Sequence, residues 1–317
     1  MKIIFAGTPQ ISASYLSLLL KFKKKVIAVL TQPDKPAGRG RKLSSSPVKK
    51  LAEREKINIF EPISLKNNPQ IGEHLKKINP DLFFVVSYGL MIPKEILSIP
   101  RLGCINIHMS LLPRWRGASL IEHSIMSGDL KSGITLMKID EGLDTGPILA
   151  KYPCVISKNE TTRSLQSKMF KLSEKKLNCF LNRLEKGEIN EVKQDENKST
   201  YAKKINASDA EILWEKLTAL EIERKIRAFY PKLGAFTYLA GKRIKILNSE
   251  EIINQHNLNP SELKINNSRK IEVGCNRMTC LQINEIQIEG KKSLPVEDFI
   301  NGYKKTLDAS KKFTKDG

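Results

Sequence analysis

The sequence predicts a doubly wound, mostly parallel α/β sheet followed by a smaller OB-like β-barrel domain. Three observations carry that reading. Strand-length apolar stretches alternate with helical ones from residue 2 to residue 139, the pattern of successive βαβ units. One of them, residues 82–87 (Leu-Phe-Phe-Val-Val-Ser), is a nearly unbroken apolar run, which suits a central strand covered on both faces. Beyond about residue 207 the chain turns to short β-rich runs broken by Gly241 and Gly290, the spacing of a small barrel.

Taken in order, residues 2–6 form a first strand that stops at Thr8-Pro9, too short for the core of a signal peptide. Residues 11–20 are helical and 26–30 form a second strand. Helices are expected over 48–55 and 71–78, then the central strand, then another strand at Cys104–His108. A helix over 120–127 leads to a strand at 133–139, and 161–184 reads as a long helix with Leu and Phe along one side. The polar stretch 187–206 reads as a linker. A helix at Ala219–Phe229 precedes strands at 235–239, 243–247, 270–273 and 279–288. The implied division is a domain over 1–189, a linker over 190–207 and a second domain over 208–317.

Composition narrows the class. With 317 residues, 40% of them hydrophobic, the chain can bury two cores. No run approaches the roughly 18 apolar residues of a membrane span, so a cytoplasmic location is expected. The five cysteines are odd in number and lack paired spacing, which argues against a disulfide framework. Cys275 and Cys280 have no second pair or nearby His, and His74, His123 and His256 stand alone, so no metal is expected. Gly7-Thr8-Pro9 follows the first strand but lacks the Gly-x-Gly-x-x-Gly of a dinucleotide site.

The net charge is +20, from 54 basic and 34 acidic residues, and points to an anionic partner, nucleic acid first. A composition rich in Lys, Asn and Ile can produce the same charge without binding, so its position matters more. Between Lys35 and Ala52 stand six basic residues (Lys35, Arg39, Arg41, Lys42, Lys49, Lys50) and no acidic one. Gly38 and Gly40 make this loop supple, and its arginines are multidentate donors for a phosphate backbone.

The chemistry concentrates at one strand. Asn106 and His108 are two residues apart and so project from the same face. They stand where the chain leaves the sheet, the edge at which open α/β sheets bind ligands. An amide donor beside an imidazole suits stabilisation of an oxyanion on a carbonyl under attack. Asp144, in Glu141-Gly142-Leu143-Asp144-Thr145-Gly146-Pro147, follows the strand at 133–139 and reaches the same edge. Cys104 shares the strand but has no paired base, so it reads as a buried thiol. Arg114 and Arg116 are expected to shape the mouth of the site, with Trp115 between them either stacking on a base or packing in the core.

Asn106-x-His108-x-Ser110-Leu111-Leu112-Pro113, with Gly117 and Asp144, resembles the folate-dependent formyltransferase family. The resemblance implies a Rossmann-like catalytic domain and transfer of a formyl group from 10-formyltetrahydrofolate to an amine, directly and without a metal. It implies catalytic roles for Asn106, His108 and Asp144, and a folate site that includes Ser110, Leu111, Leu112 and Pro113. The three catalytic residues leave the acceptor open. The loop at 31–42, the strings Arg101-Leu102-Gly103-Cys104 and Arg114-Trp115-Arg116-Gly117, and the extra C-terminal domain are similar to the branch whose acceptor is charged initiator tRNA. In that branch the loop reaches the acceptor end of the tRNA, which implies contacts from Arg39, Arg41 and Lys42 and, by family expectation, a monomer. The chain departs from the family at Met109, where many relatives carry Gly, and at Ser119-Leu120. Two alternatives stay open: an amino-sugar or nucleotide-sugar formyltransferase, which has little use for the basic loop, and a non-catalytic tRNA-binding relative, against which the intact Asn106, His108 and Asp144 stand.

Overall fold

The computed structural model describes residues 1–37, 42–253 and 257–314. In chain order the first elements are β1 (Lys2–Gly7), α1 (Gln10–Lys21), β2 (Lys25–Leu30), β3 (Lys35–Ala37), β4 (Lys42–Ser44), α2 (Pro47–Arg54), β5 (Asn58–Phe60), α3 (Pro69–Ile78), β6 (Leu82–Val86), α4 (Lys94–Leu97), β7 (Cys104–His108), β8 (Arg116–Gly117), α5 (Leu120–Met126), β9 (Lys131–Lys138), β10 (Ile148–Val155) and α6 (Thr162–Glu185). Then follow β11 (Tyr201–Ala202), α7 (Ala219–Phe229), β12 (Phe236–Leu239), β13 (Lys242–Ile252), β14 (Leu263–Ile265), β15 (Ile271–Gly274), β16 (Cys280–Ile288), β17 (Ser293–Pro295) and α8 (Val296–Ala309). They form two compact units. The first gathers Met1–Gly117, Gly133–Cys154 and Met169–Tyr201; the second gathers Ala118–Ser132, Val155–Lys168 and Ala202–Gly317.

The main sheet of the first unit has the order β10-β9-β7-β6-β1-β2-β5. Every pair from β7 to β5 is parallel, and β9 runs antiparallel to β7. β2 lies on one side of β1 and β6 on the other, so the strand order reverses at β1 and opens a crevice at the carboxyl ends of the strands. All five residues of β6 are buried, as a strand covered on both faces requires. On one face Ile4, Leu30, Phe83 and Val85 pack with Ile71 and Leu75 of α3. Each such side chain contributes roughly 1.5–3 kcal/mol by leaving water. α1 pairs with α6 through the Tyr15 and Ser173 hydroxyls, 2.7 Å apart, and an edge contact of Tyr15 with Phe170. Helix starts follow their sequence signals. Ser46 accepts from the Lys49 N–H ahead of Pro47, and Asn68 accepts from the Ile71 N–H ahead of Pro69.

The second unit holds a six-stranded antiparallel sheet, β12-β13-β16-β15-β14 with β17 on β16. Among the described residues no strand pair joins β12 to β14, so the expected barrel is a curled half-barrel. Its strand β13 shifts register around Asn248, the irregularity that lets a long strand bend. Its core joins Ile222 and Ile226 of α7 to Ile246, Ile271, Ile283 and Phe299. α7 starts in a capping box of Thr218 and Glu221. No described helix is long and apolar enough to cross a membrane.

Two expectations change. The Lys-rich end carries a helix, α8, whose Val296, Phe299, Ile300 and Leu307 are buried; an apolar stripe this narrow is easily hidden by the charges between. The stretch expected as a linker is fastened to the first unit up to residue 201. Val192 bridges to Ile148, Gln194 is 4% exposed, and the Thr200 carbonyl accepts from the Arg116 N–H at 2.8 Å. Polar residues that pair with buried polar partners read, in sequence, like solvated chain.

Candidate active site

β7 has a parallel neighbour on one side and an antiparallel one on the other, with Asn106 opposite Val85 and Met137 and His108 opposite Thr135. Cys104, Asn106 and His108 share a face by strand alternation. At the start of the strand this face is apolar, since Cys104 packs with Ile4, Ala6 and Phe83. At its end the face turns polar. Asn106 is half-buried, and among the described residues no hydrogen bond engages its carboxamide. His108 is 3% exposed.

After β7 the chain folds back on itself. The His108 Nε2–H donates to the Trp115 carbonyl at 2.8 Å, and the Ser110 hydroxyl donates to the Arg114 carbonyl at 2.7 Å. Thr135 Oγ1 fastens the turn from β9, donating to the Ser110 carbonyl at 2.7 Å and accepting from the Leu112 N–H at 3.1 Å. Trp115 itself lies in the left-handed region, at φ 62°. Since a carbonyl can only accept, the proton sits on Nε2 and Nδ1 of the neutral ring carries a lone pair. Burial lowers the imidazole pKa below its ordinary 6.5, against the opposing pull of the Asp144 carboxylate and the Trp115 carbonyl. The ring is therefore neutral at pH 7.

Asp144 faces that lone pair, with Oδ1 3.6 Å from Nδ1. This is beyond a direct hydrogen bond but close enough to favour a proton arriving on the ring. Its other oxygen accepts from the Gly117 N–H at 2.9 Å. The loop leading to it is ordered by Asp140, which accepts from the Gly142 N–H and the Thr145 hydroxyl. A Cβ at Gly146 would run into the Lys138 carbonyl, so that position requires glycine. Asp144 adopts φ 54°, a conformation that costs a non-glycine residue about 1 kcal/mol or more.

The remaining candidates divide. Ser110 and Leu112 are fully enclosed: the serine hydroxyl is engaged by carbonyls within its own turn, and Leu112 packs with Met137 and Ile148. Both build the turn, and Leu111 and Pro113 are the half-buried members of that group. Arg116 does not stand at a mouth. Among the described residues it is the largest fully buried side chain, with its guanidinium held by both Glu196 oxygens at 2.7 and 2.8 Å, by Gln194 and by the Tyr201 hydroxyl. Arg114 lies over the Trp115 ring. Burial pushes the Cys104 thiol up to about 12, so it is no nucleophile at neutral pH. Arg39 and Arg41 fall outside the described residues, and Lys42 opens β4, which pairs with β3 to form the base of the basic loop. Lys49 secures that base by bridging Asp34 at 3.0 Å and Glu61 at 2.9 Å. Among the described residues, no cluster of three or more His, Cys, Asp or Glu side chains is placed to hold a metal ion.

Residues 1–181 match the formyl transferase family, and residues 204–304 match the formyl transferase C-terminal domain. The chain belongs to the formyltransferase family. Within it, the chain is 42% identical over 303 residues to the methionyl-tRNA formyltransferase of Coxiella burnetii (strain RSA 331 / Henzerling II), covering 96% of both chains. It is 41% identical over 307 residues to the methionyl-tRNA formyltransferase of Legionella pneumophila (strain Paris), covering 97% of both. Among solved structures, the sugar 3N-formyl transferase WlaRD superposes with a TM-score of 0.66 at 23% identity, over 92% of this chain and 99% of that one. The latter likeness is one of fold. The full-length similarity to formyltransferases that act on methionyl-tRNA distinguishes the chain within the family.

Proposed function

We propose that this enzyme transfers the formyl group of 10-formyltetrahydrofolate to the α-amino group of methionine esterified to initiator tRNA. The observation that carries the acceptor is the 42% identity, across 96% of both chains, to a methionyl-tRNA formyltransferase. The chemistry rests on Asn106, His108 and Asp144 converging at one sheet edge. A free α-amino group has a pKa of about 7.7–8.0, so a useful neutral fraction exists near pH 7. Its nitrogen attacks the formyl carbon, the C–N bond forms and the carbonyl pair moves onto oxygen. The Asn106 amide, engaged by none of the described residues, donates to that oxyanion. Because Nε2–H is held by the Trp115 carbonyl, His108 enters as a base: Nδ1 takes the proton from the attacking nitrogen, and the Asp144 carboxylate stabilises the imidazolium. The new Nδ1–H then donates toward the oxyanion, and the proton finally passes to N10 of the folate as its bond to the formyl carbon breaks. Leu111 and Pro113 are the members of the proposed folate group with surface to offer, and Ser110 and Leu112 hold them in place.

The test is to incubate the protein with 10-formyltetrahydrofolate and either methionyl-initiator tRNA or a nucleotide-linked amino sugar. Formylmethionyl-tRNA is the expected product. Formylation confined to the sugar, or tRNA binding without turnover, would overturn the proposal. The double variant Arg39→Ala/Arg41→Ala should raise the KM for tRNA, leave the KM for folate unchanged, and reduce the salt slope of tRNA binding by roughly 1–2.

A further inference from the structure

We propose that Gln194 is a positioning residue for the catalytic carboxylate, holding Asp144 in the backbone conformation from which it faces His108. The proposal rests on the formyl-transfer reading above and adds to it a residue some fifty positions away in sequence.

Gln194 is buried, and the hydrogen-bonding capacity of its side chain is directed at three residues. Its Nε2 amide donates to the Asp144 and Gly146 carbonyls, each at 2.8 Å. Its Oε1 accepts from Arg116 Nε at 3.1 Å and from Arg116 Nη2 at 2.9 Å. Asp144 is left-handed and needs outside support to stay so. The two carbonyls that Gln194 grips flank the turn from Asp144 to Gly146. Arg116 closes the arrangement from the other side. Its guanidinium anchors Gln194, while its backbone neighbours hold the catalytic pair: the Trp115 carbonyl takes the His108 Nε2–H, and the Gly117 N–H donates to the Asp144 carboxylate. One three-residue stretch thus references both the imidazole and the carboxylate, and Gln194 ties that stretch to the Asp144 backbone.

A simpler role is available, in which Gln194 only satisfies the buried charge of Arg116. The two roles demand different chemistry. Satisfying Arg116 needs an acceptor, which a carboxylate supplies better than an amide. Holding Asp144 needs donors, which an ionised carboxylate lacks.

The experiment compares Gln194→Glu and Gln194→Asn in the full-length chain. Positioning predicts the activity order wild type, Asn, Glu. Gln194→Glu should lose about 10- to 100-fold in kcat, the scale of a small misplacement of a catalytic group, with KM for both substrates within about twofold. A second readout needs no turnover: the His108 ring titration, followed by NMR in the substrate-free protein. Its pKa should fall in both variants, because the Asp144 carboxylate is the larger of the two influences, beside the Trp115 carbonyl, that counter the effect of burial. Gln194→Glu at wild-type kcat with an unmoved ring titration would overturn the proposal. Should Gln194→Glu fail to fold, a Gln194→Asn protein with wild-type kcat and ring titration would overturn it equally. Absence of turnover in the wild type would instead remove the formyl-transfer reading, and the ring titration would still decide the role of Gln194.

Discussion

Asn106 is carried to the sheet edge by a strand, whereas Asp144 is carried there by a loop, and the two are secured by different means. The backbone of Asn106 is fixed by ladders on both sides, to β6 and β9, and among the described residues its side chain has no hydrogen-bond partner. Asp144 sits in a strained backbone and is held by the Gly117 N–H, by Gln194 and by the fit around Gly146. A strand positions a side chain through regular hydrogen bonding that any sequence of the right period can make. A loop does so through individual contacts, each of which has to be specified. The donor of the site should therefore tolerate change around it, and the carboxylate should not.

The largest effect is expected where the strand-borne groups are removed outright. Asn106→Ala and His108→Ala should each lower the single-turnover formylation rate by about a hundredfold or more, the usual result of deleting an oxyanion donor or a central base. Asn106→Ala should do so at an unchanged melting temperature, since the amide bonds to none of the described residues; rates within a few-fold of wild type would break the assignment.

A smaller change is expected from Asp144→Asn, which keeps an acceptor for the Gly117 N–H and removes the charge. In the proposed mechanism the neutral ring is the base, and burial already holds its pKa below 6.5. As far as the ring is concerned, activity should thus be unimpaired at pH 7 and fall as the pH drops through that lowered value, while the acceptor amine, with its pKa of about 7.7–8.0, adds a separate rise above pH 7. Without the carboxylate the ring loses an influence that raises its pKa, so the acid limb should move to still lower pH while the plateau falls about tenfold. A limb that stays put or moves upward in the kcat–pH profile would show that Asp144 does not act on the ring. Least of all is expected from Cys104→Ser, with turnover within about twofold of wild type, because a buried thiol held up at about 12 supplies no thiolate. A tenfold loss would place that residue in the chemistry.

The same contrast decides what the amino-acid sequence could reveal. The strand Cys104–His108 and the helix Ala219–Phe229 are legible to the residue because their patterns are local and periodic. Asp144 is legible as a residue in a Gly- and Pro-fixed turn, though its left-handed backbone is not. Gln194 and Glu196 are invisible: they stand in a polar run whose composition says linker, and only the folded positions of Arg116 and of the Asp144 turn give them a purpose. Ser110 is the reverse case. The family resemblance implies that it belongs to the folate site, and in the fold its hydroxyl ties down its own turn.

The carbonyl of Trp115 has a consequence for how such a site can diverge. The proton pattern of the His108 ring, the proposed base, is assigned by a peptide group, and every residue type brings that group with it. No point mutation at position 115 can delete the bond. Substitutions there act only through how well the newcomer accepts φ 62°, which glycine and asparagine do readily and β-branched residues do not. The indole is thus open to variation as acceptors change, while the tautomer is inherited with the path of the chain.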